Sequence, residues 1–325
     1  MKPPLIFPWY RGHSVLVTGG AGFIGSHLVT ALTKSGARAT VFDNCTDAPW
    51  PNLRHIEGEY IRIEGDVRDP SSVKGALEFA KPTVIFHLAA NASVPYSVED
   101  PRHDFETNTV GTFNVLEGAR QARQNARLVF ASSAAVYGEP GRELMTEETR
   151  LCPISPYGAS KLGGEIECRL YAELFSTDVV IGRIFNSFGP RMPRFVVLDF
   201  LRKLSDRQDV LEILGTGMQT RDFTYVLDTV AGLLTLGQQG IRGEAYNIAS
   251  GSSHSVTDLA HQLLAILDLS QQTKLRYSGD SWAGDAQYWA VSIDKLKQLG
   301  YRPQFNLGDG LSEVVAWFNH REPPL

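Results

Sequence analysis

Short apolar runs recur along the first half of the chain, and segments with helical periodicity lie between them. Two of the runs, Ser14–Thr18 and Ala39–Phe42, are rich in β-branched residues, which is typical of buried strands. Further strands are predicted at Tyr60–Glu64, Thr83–Ala90 and Arg127–Ala131. Strands that alternate with helices predict an α/β fold with a doubly wound parallel sheet, which binds ligands at the carboxyl ends of its strands.

Helical patterns also occur later in the chain, in three segments. One runs from Asn108 to about Arg123, and another begins at Pro156, since proline suits the first turn of a helix. The third, Leu311–Phe318, is amphipathic. The chain has 325 residues, more than a typical single domain, so one large and one small domain are expected.

A glycine-rich turn follows the first predicted strand and leads into a helical segment. Its sequence is Gly19-Gly20-Ala21-Gly22-Phe23-Ile24-Gly25, which satisfies both GxGxxG and GxxGxxG. Glycine permits a tight turn and close approach of a pyrophosphate, and the helix offers amide donors at its N-terminus. Strand, glycines and helix in this order predict a dinucleotide-binding Rossmann domain over residues 1–184. A smaller α/β domain over residues 185–325 would hold the substrate, with some later segments returning to the first domain.

Acidic residues follow the next two strands. Asp43 and Asn44 end the second strand, where a carboxylate accepts both ribose hydroxyls of an adenosine and repels a 2′-phosphate. Asp43 therefore favours NAD over NADP, although it could simply form a turn. Asp66 and Val67 follow the third strand and could recognise an adenine edge, whereas Asp66 could equally cap a helix.

The fourth strand opens into the small or apolar residues Leu88, Ala89 and Ala90, against which a flat cofactor can lie. His87 precedes them and is expected to be a packed residue. Tyr157 and Lys161 are four residues apart in a predicted helix, so both can face one bound molecule. A neighbouring ammonium lowers the pKa of a phenol from about 10, so Tyr157 could take a proton from an alcohol.

Composition and charge exclude several classes of partner. The chain carries 31 basic and 36 acidic residues, a net charge of −5, which gives no footprint for nucleic acid or an anionic membrane. No run approaches the roughly 18 apolar residues of a membrane span, and no signal peptide is evident. Cys45, Cys152 and Cys168 lack a CxxC pair, which predicts neither disulfides nor a metal site. A cytoplasmic protein that binds a small molecule is expected.

Several motifs together resemble the extended short-chain dehydrogenase/reductase superfamily, in the branch that acts on nucleotide sugars. They include the glycine turn, Ser132-Ser133 at a strand end and Tyr157-x-x-x-Lys161. The later matching segments are Arg183–Arg191, Gly217–Val226 and Tyr246–Gly251. The resemblance therefore covers most of the chain, outside the first dozen residues and part of the C-terminal third.

The resemblance implies NAD as cofactor and a role for each matching residue. Tyr157 would be the base, Lys161 would lower its pKa and hold the nicotinamide ribose, and Ser133 would hydrogen-bond the reacting oxygen. Hydride removal from a secondary alcohol needs such a set. The implied substrate-binding residues are Ser93, Ser133, Asn186, Arg191, Arg221 and Asp285. A homodimer through the helices near residues 108–123 and 157–175 is also implied.

Ala134 and Ala135 follow Ser133, where dehydratases of the family carry an Asp-Glu pair and decarboxylases usually keep a glutamate at the second position. With one base and no second acid, the resemblance implies 4-epimerisation of a UDP-hexose through a 4-keto intermediate. UDP-glucose 4-epimerase-like enzymes have a similar segment.

The C-terminal part departs from the family pattern. Leu198 replaces a proline near the nucleotide base, and Trp282 stands where relatives have an arginine on the diphosphate; Arg276 or Arg191 could compensate. A dehydratase, decarboxylase or 4-ketoreductase, and a non-catalytic NAD-binding sensor, remain as alternatives.

Overall fold

Strands and helices alternate along the chain, and a computed structural model describes them for residues 5–45, 50–122, 125–279 and 287–320. The strands are β1 Ser14–Thr18, β2 Arg38–Asp43, β3 Tyr60–Glu64, β4 Val84–His87, β5 Arg127–Ser133, β6 Leu144–Met145, β7 Val179–Ile184, β8 Asn186–Phe188, β9 Val210–Ile213, β10 Thr220–Tyr225, β11 Ala245–Ile248, β12 Ser253–Ser255, β13 Lys274–Tyr277 and β14 Ala290–Val291. The α-helices are α1 Phe23–Lys34, α2 Pro70–Ala80, α3 Val94–Glu99, α4 Pro101–Phe105, α5 Gly111–Gln121, α6 Pro156–Leu174, α7 Val196–Asp206, α8 Val226–Gln239, α9 Val256–Ile266, α10 Asp294–Gln298 and α11 Leu307–His320. None of the helices within these ranges is long and apolar enough to cross a membrane.

Seven parallel strands form the central sheet, in the order β11-β7-β5-β4-β1-β2-β3. Successive side chains of a strand point to opposite faces, so each strand serves two cores. In β5, Val129 belongs to the apolar core shared with α1 and α8, whereas Leu128 and Phe130 belong to the core shared with α2, α5 and α6. The predicted Rossmann sheet, doubly wound with helices on both faces, is confirmed.

Most predicted element bounds agree with the structure, and the differences have local causes. β4 ends at His87 rather than Ala90 because the Thr18 hydroxyl, instead of a strand carbonyl, accepts from Ala89 N at 3.2 Å. The helix predicted from Asn108 begins as a π-helical turn, Glu106–Val110, before α5 continues it. Its predicted end at Arg123 lies outside the described residues.

The glycine turn between β1 and α1 is tightly packed. Gly19 has a φ of +68°, and a Cβ added there would lie 2.6 Å from Ala89 N. A Cβ on Gly25 would lie 2.1 Å from Gly19 O, because α1 crosses directly over the turn. The predicted requirement for glycine is confirmed at these two positions.

The C-terminal part builds a second core and also returns to the central sheet. Strands β8, β10 and β12 form a three-stranded sheet, and a separate apolar core contains residues of α7, α9 and α11. Strand β11 pairs with β7 at the edge of the central sheet, and β14 pairs with β6. The domain boundary at residue 184 stays a prediction.

Gly25→Ala is expected to lower the free energy of unfolding by about 1–3 kcal/mol, because its Cβ would overlap the Gly19 carbonyl. Urea unfolding followed by circular dichroism measures this change. Gly75→Ala is a matched control, since nothing lies within 4 Å of its added Cβ on exposed α2. Alanine's helix propensity should stabilise that variant by up to about 1 kcal/mol. Equal losses in both variants would contradict the packing explanation.

Candidate active site

Ser133, Tyr157 and Lys161 meet where α6 crosses the carboxyl end of β5. Ser155 caps α6 by accepting from Gly158 N, and Pro156 occupies the first turn, as predicted. A Cβ on Gly158 would lie 2.5 Å from Ala135 O, so glycine lets the helix lie directly on the segment after Ser133. The Ser133 side chain lies within interaction range of the Tyr157 phenol.

Burial dominates the electrostatics of Tyr157. It raises the pKa of Tyr157 above its ordinary value, and the Ser133 side chain lowers it only in part. Lys161 Nζ donates to Ala131 O at 2.9 Å and lies 5.1 Å from the centre of the Phe130 ring. Burial lowers the pKa of Lys161 to about 8. The expected lowering of the Tyr157 pKa is not found, because burial raises that pKa, and the role of Lys161 in lowering it stays a prediction.

Sequence analysis missed a buried carboxylate behind this pair. Asp104, at the end of α4, is fully buried, and its charge raises the pKa values of both Tyr157 and Lys161. The only signal in the sequence is an acid four residues before Asn108, which no motif distinguishes from a surface residue.

The predicted dinucleotide residues meet around the glycine turn. The Asp43 carboxylate accepts from Ala21 N at 2.9 Å and from Cys45 N at 2.8 Å, so it lies against the turn. Helix α1 begins without a side-chain cap at Gly22, which leaves its first amides for an anion. These residues could hold a dinucleotide with its ribose at Asp43 and its pyrophosphate at Phe23 and Ile24.

Asp66 is not a helix cap. That role belongs to Asp69, whose side chain accepts from Ser71 N at the start of α2. Arg68 makes a paired contact with the Asp66 carboxylate and lowers its pKa to about 2, and Asn44 donates to the same group at 3.1 Å. The alternative assignment for Asp66 is thereby excluded, and its carboxylate lies beside the end of β2.

The end of β4 separates packed residues from accessible ones. His87 is buried, with ring nitrogens 2.7 Å from Thr18 Oγ1 and 3.1 Å from Thr112 Oγ1. Burial lowers its pKa to about 3, so the predicted packing role of His87 is confirmed. Next to it, Leu88, Ala89 and Ala90 are partly exposed beside the glycine turn, as a cofactor surface requires.

Two of the predicted substrate-binding residues lie on neighbouring strands. Asn186 is on β8 and Arg221 is on β10, and these strands pair in parallel. The Arg221 guanidinium lies 5.1 Å from the centre of the Trp289 ring, and its Nη1 donates to Thr220 O at 2.8 Å. Ser93 is buried and caps α3 by accepting from Tyr96 N. Asp285 and Trp282 lie outside the described residues.

Arg191 lies on the side of α1 rather than beside Arg221. Its Nε is 3.3 Å from His27 Nε2, and its Nη1 donates to Asn52 O at 2.9 Å. Asn52 in turn donates to Ala21 O of the glycine turn at 2.9 Å. Burial lowers the pKa of Arg191 to about 10, which leaves it charged at neutral pH. Arg191 is therefore linked to the glycine turn through Asn52, and its predicted role in substrate binding stays a prediction.

Comparison with known proteins identifies the family of the chain. Residues 16–314 match the family model described as GDP-mannose 4,6 dehydratase. The chain belongs to this family. A relative described as a putative UDP-glucose 4-epimerase, from Methanocaldococcus jannaschii, is 34% identical over 320 residues, covering 94% of this chain and 98% of the relative. UDP-glucuronic acid decarboxylase 1 of Xenopus tropicalis is 33% identical over 316 residues, covering 94% and 72%.

A solved structure resembles the chain at a comparable level of sequence identity. A double mutant of dTDP-glucose 4,6-dehydratase from Streptomyces venezuelae, with NAD bound, matches with a TM-score of 0.86 and 31% identity, covering 94% of this chain and 97% of that one. The protein is therefore an enzyme of the nucleotide-sugar epimerase and dehydratase family, as the resemblance indicated. Epimerase, decarboxylase and dehydratase are matched at nearly equal identity, so the choice of reaction depends on the side chains.

A buried ion pair supports the active-site strand of this family member. Arg183 on β7 and Glu165 on α6 are almost completely buried, with Nη2 and Oε2 2.7 Å apart. Glu165 Oε1 also accepts from Ser132 Oγ at 2.6 Å, next to Ser133. Arg183 Nη1 donates to the Tyr137 hydroxyl at 2.9 Å. The pair thus ties α6, β5 and β7 together near Ser133, Tyr157 and Lys161.

Glu165→Gln is expected to cost about 3–5 kcal/mol of unfolding free energy, because it leaves the Arg183 charge buried without its partner. Chemical denaturation of the purified variant measures this cost. The control is Glu78→Gln, which removes an exposed partner of Lys74 and should change stability by less than about 1 kcal/mol. A loss at Glu165 no larger than the control would show that the pair is not needed.

Proposed function

We propose that the protein is an NAD-dependent nucleotide-sugar 4-epimerase that acts on a UDP-hexose such as UDP-glucose, UDP-galactose or a derivative. The observation that carries the proposal is the pair Ala134 and Ala135, directly after Ser133 and under α6. Neither side chain can act as an acid or a base. Asp104, the carboxylate whose charge reaches Tyr157, is buried and occupied by three donors. Within the described residues, this strand end therefore offers no second acid and base for elimination.

The glycine turn fits NAD. A dinucleotide pyrophosphate needs close backbone approach and free amides, which the uncapped start of α1 provides, and Asp43 stands where it would accept from a ribose. When bound, NAD would supply a reversible acceptor for the hydride of the substrate's C4. The carboxylate of Asp43 disfavours a 2′-phosphate, which supports NAD rather than NADP.

The proposed roles of Tyr157, Ser133 and Lys161 follow from their positions in the site. Tyr157 takes the proton of the substrate's C4 hydroxyl, and Ser133 donates to the same oxygen as the carbonyl forms. Lys161 holds the nicotinamide ribose and supplies a positive charge near Tyr157 and Ser133. After the 4-keto sugar turns over, Tyr157 returns the proton to the oxygen on the other face. One base therefore serves both halves of the reaction.

The decisive experiment incubates the holoenzyme with UDP-, dTDP-, GDP- and CDP-sugars and follows product mass and C4 configuration by NMR. Epimerisation inverts C4 without a change in mass. A product lighter by water identifies a dehydratase, one lighter by carbon dioxide identifies a decarboxylase, and net release of NADH also contradicts the proposal. Absence of conversion on every sugar would favour the NAD-binding sensor.

Tyr157→Phe is expected to reduce epimerase turnover by at least about 10²-fold, because general base catalysis contributes 10² to 10⁴. NAD content, measured by release and chromatography, should stay close to that of the wild type. Ser155→Ala is the comparison variant: it removes the α6 cap at a cost of about 1 kcal/mol but leaves the phenol in place. Turnover retained by Tyr157→Phe would exclude this residue as the base.

A cytoplasmic homodimer is part of the proposal. Ile166, Leu170 and Leu174 follow one another at four-residue spacing on α6, and all three are exposed apolar residues. Phe113 on α5 is exposed beside them and touches Tyr171 edge to face. An exposed apolar surface on two neighbouring helices suits a second copy of the chain, as the family resemblance implied.

Leu170→Asp is expected to convert the dimer to a monomer, because two carboxylates would be buried at a two-fold interface. Light scattering coupled to size-exclusion chromatography gives the mass. Phe79→Asp on α2 alters an equally exposed apolar residue away from this surface and should remain dimeric. A wild-type mass of one chain, or dissociation by Phe79→Asp alone, would contradict the assigned surface.

A further inference from the structure

Asp104 holds three parts of the active site together. Its Oδ1 accepts from Asn91 Nδ2 at 2.8 Å and from Asn108 Nδ2 at 3.1 Å. Its Oδ2 accepts from Ser160 Oγ at 2.5 Å. Asn91 follows the end of β4, Asn108 precedes α5, and Ser160 lies on α6 between Tyr157 and Lys161. One carboxylate thus links the cofactor edge of the sheet to the catalytic helix.

The chemistry of these contacts favours the ionised acid. The Asn91 and Asn108 amides can only donate, and the Ser160 hydroxyl donates to Asp104 whenever it is not turned to Tyr157 O, 3.0 Å away, so a carboxylate is the form that satisfies all three neighbours at once. Burial raises the pKa of Asp104, while the hydrogen bonds from Ser160 and Asn91 and the charge of Lys161 oppose that rise. The hydrogen bonds to Asp104 offset the cost of burying its charge, which distinguishes it from an ordinary exposed acidic residue.

We propose that Asp104 is a positioning residue: its hydrogen bonds fix α6 to the end of β4, and its negative charge stabilises the charged form of Lys161 on the same helix as Tyr157. The proposal rests on the proposed function of the Tyr157 and Lys161 pair. Asp104 contacts neither substrate nor reacting atoms and acts only through these two residues. Asp104 therefore supports the site without serving as an acid in the reaction.

Several charged and titratable groups surround Tyr157 and Lys161. Among the described residues, the charges that act on Tyr157 are Asp104 and Arg194, and those on Asp104 are Lys161 and His103. Lys161 faces Asp104, Cys168 and His87. His87 and Cys168 are neutral at physiological pH, because burial lowers the pKa of the first and raises that of the second. Asp104 is thus the carboxylate that sets the local charge.

Asp104→Asn separates this role from a structural one through the pH profile of kcat. Loss of the negative charge stabilises the Tyr157 phenolate and destabilises the Lys161 ammonium, so the pKa values of both fall. Both limbs of the profile should therefore move to lower pH in the holoenzyme. A kcat that falls equally at every pH, with unmoved limbs, would overturn the proposal.

Two further variants keep the test decisive if Asp104→Asn folds poorly. Ser160→Ala removes one hydrogen bond and leaves the charge, so kcat should fall while the limbs stay in place. Asp104→Glu keeps the charge and should retain the wild-type limbs. Limbs that move in Ser160→Ala, or that move in Asp104→Glu as well, would overturn the role of the charge.

A readout without substrate distinguishes failure of this proposal from failure of the proposed function. Ultraviolet titration of tyrosinate, with Tyr157→Phe as the blank, reports the ionisation of Tyr157 directly. A titration that moves to lower pH in Asp104→Asn supports the proposal even if no nucleotide sugar is converted. An unmoved titration in a folded variant overturns it, whatever the activity of the enzyme.

Discussion

Helix α6 can lie against the end of β5 only because glycine occupies its contact points. Gly158 meets the Ala135 carbonyl and Gly164 meets the Phe130 ring, where an added Cβ would lie 2.5 Å and 2.7 Å away. This close approach brings Tyr157 to Ser133 and turns Lys161 beneath the strand. The chemistry of the site follows from that contact, since a helix displaced by one side chain would separate the phenol from the hydroxyl.

The same contact explains the electrostatics. A phenol and an ammonium pressed against a strand end lose water, and desolvation shifts both pKa values toward the neutral forms. Packing that positions the Tyr157 phenol therefore makes it harder to ionise. Ser133 and Arg194 act in the opposite direction on Tyr157, and they are the groups of the described chain that favour the phenolate.

Much of this organisation could be predicted from the sequence, because it depends on local rules. The bounds of β1 and β3, the glycine turn and the packing of His87 follow from periodicity and the steric needs of short segments. Asp104 could not be predicted, since its burial depends on contacts with Asn91 and Ser160, far away in the chain. The direction of the Tyr157 pKa was also hidden, because it depends on solvent exclusion by the whole fold. Arg191 lies against α1 for a similar tertiary reason.

The late return of β11 to the central sheet limits how this enzyme can be divided. A fragment that ends at the proposed boundary would lack β11. In the whole chain this strand pairs with β7, with Ala245 opposite Ile181 and Ile248 opposite Ile184. Strand β7 would then present unpaired amides and carbonyls along a row of apolar residues, which is a template for aggregation. The central sheet is therefore complete only when β11 is present. During synthesis, most of the polypeptide must be made before this sheet can form in full.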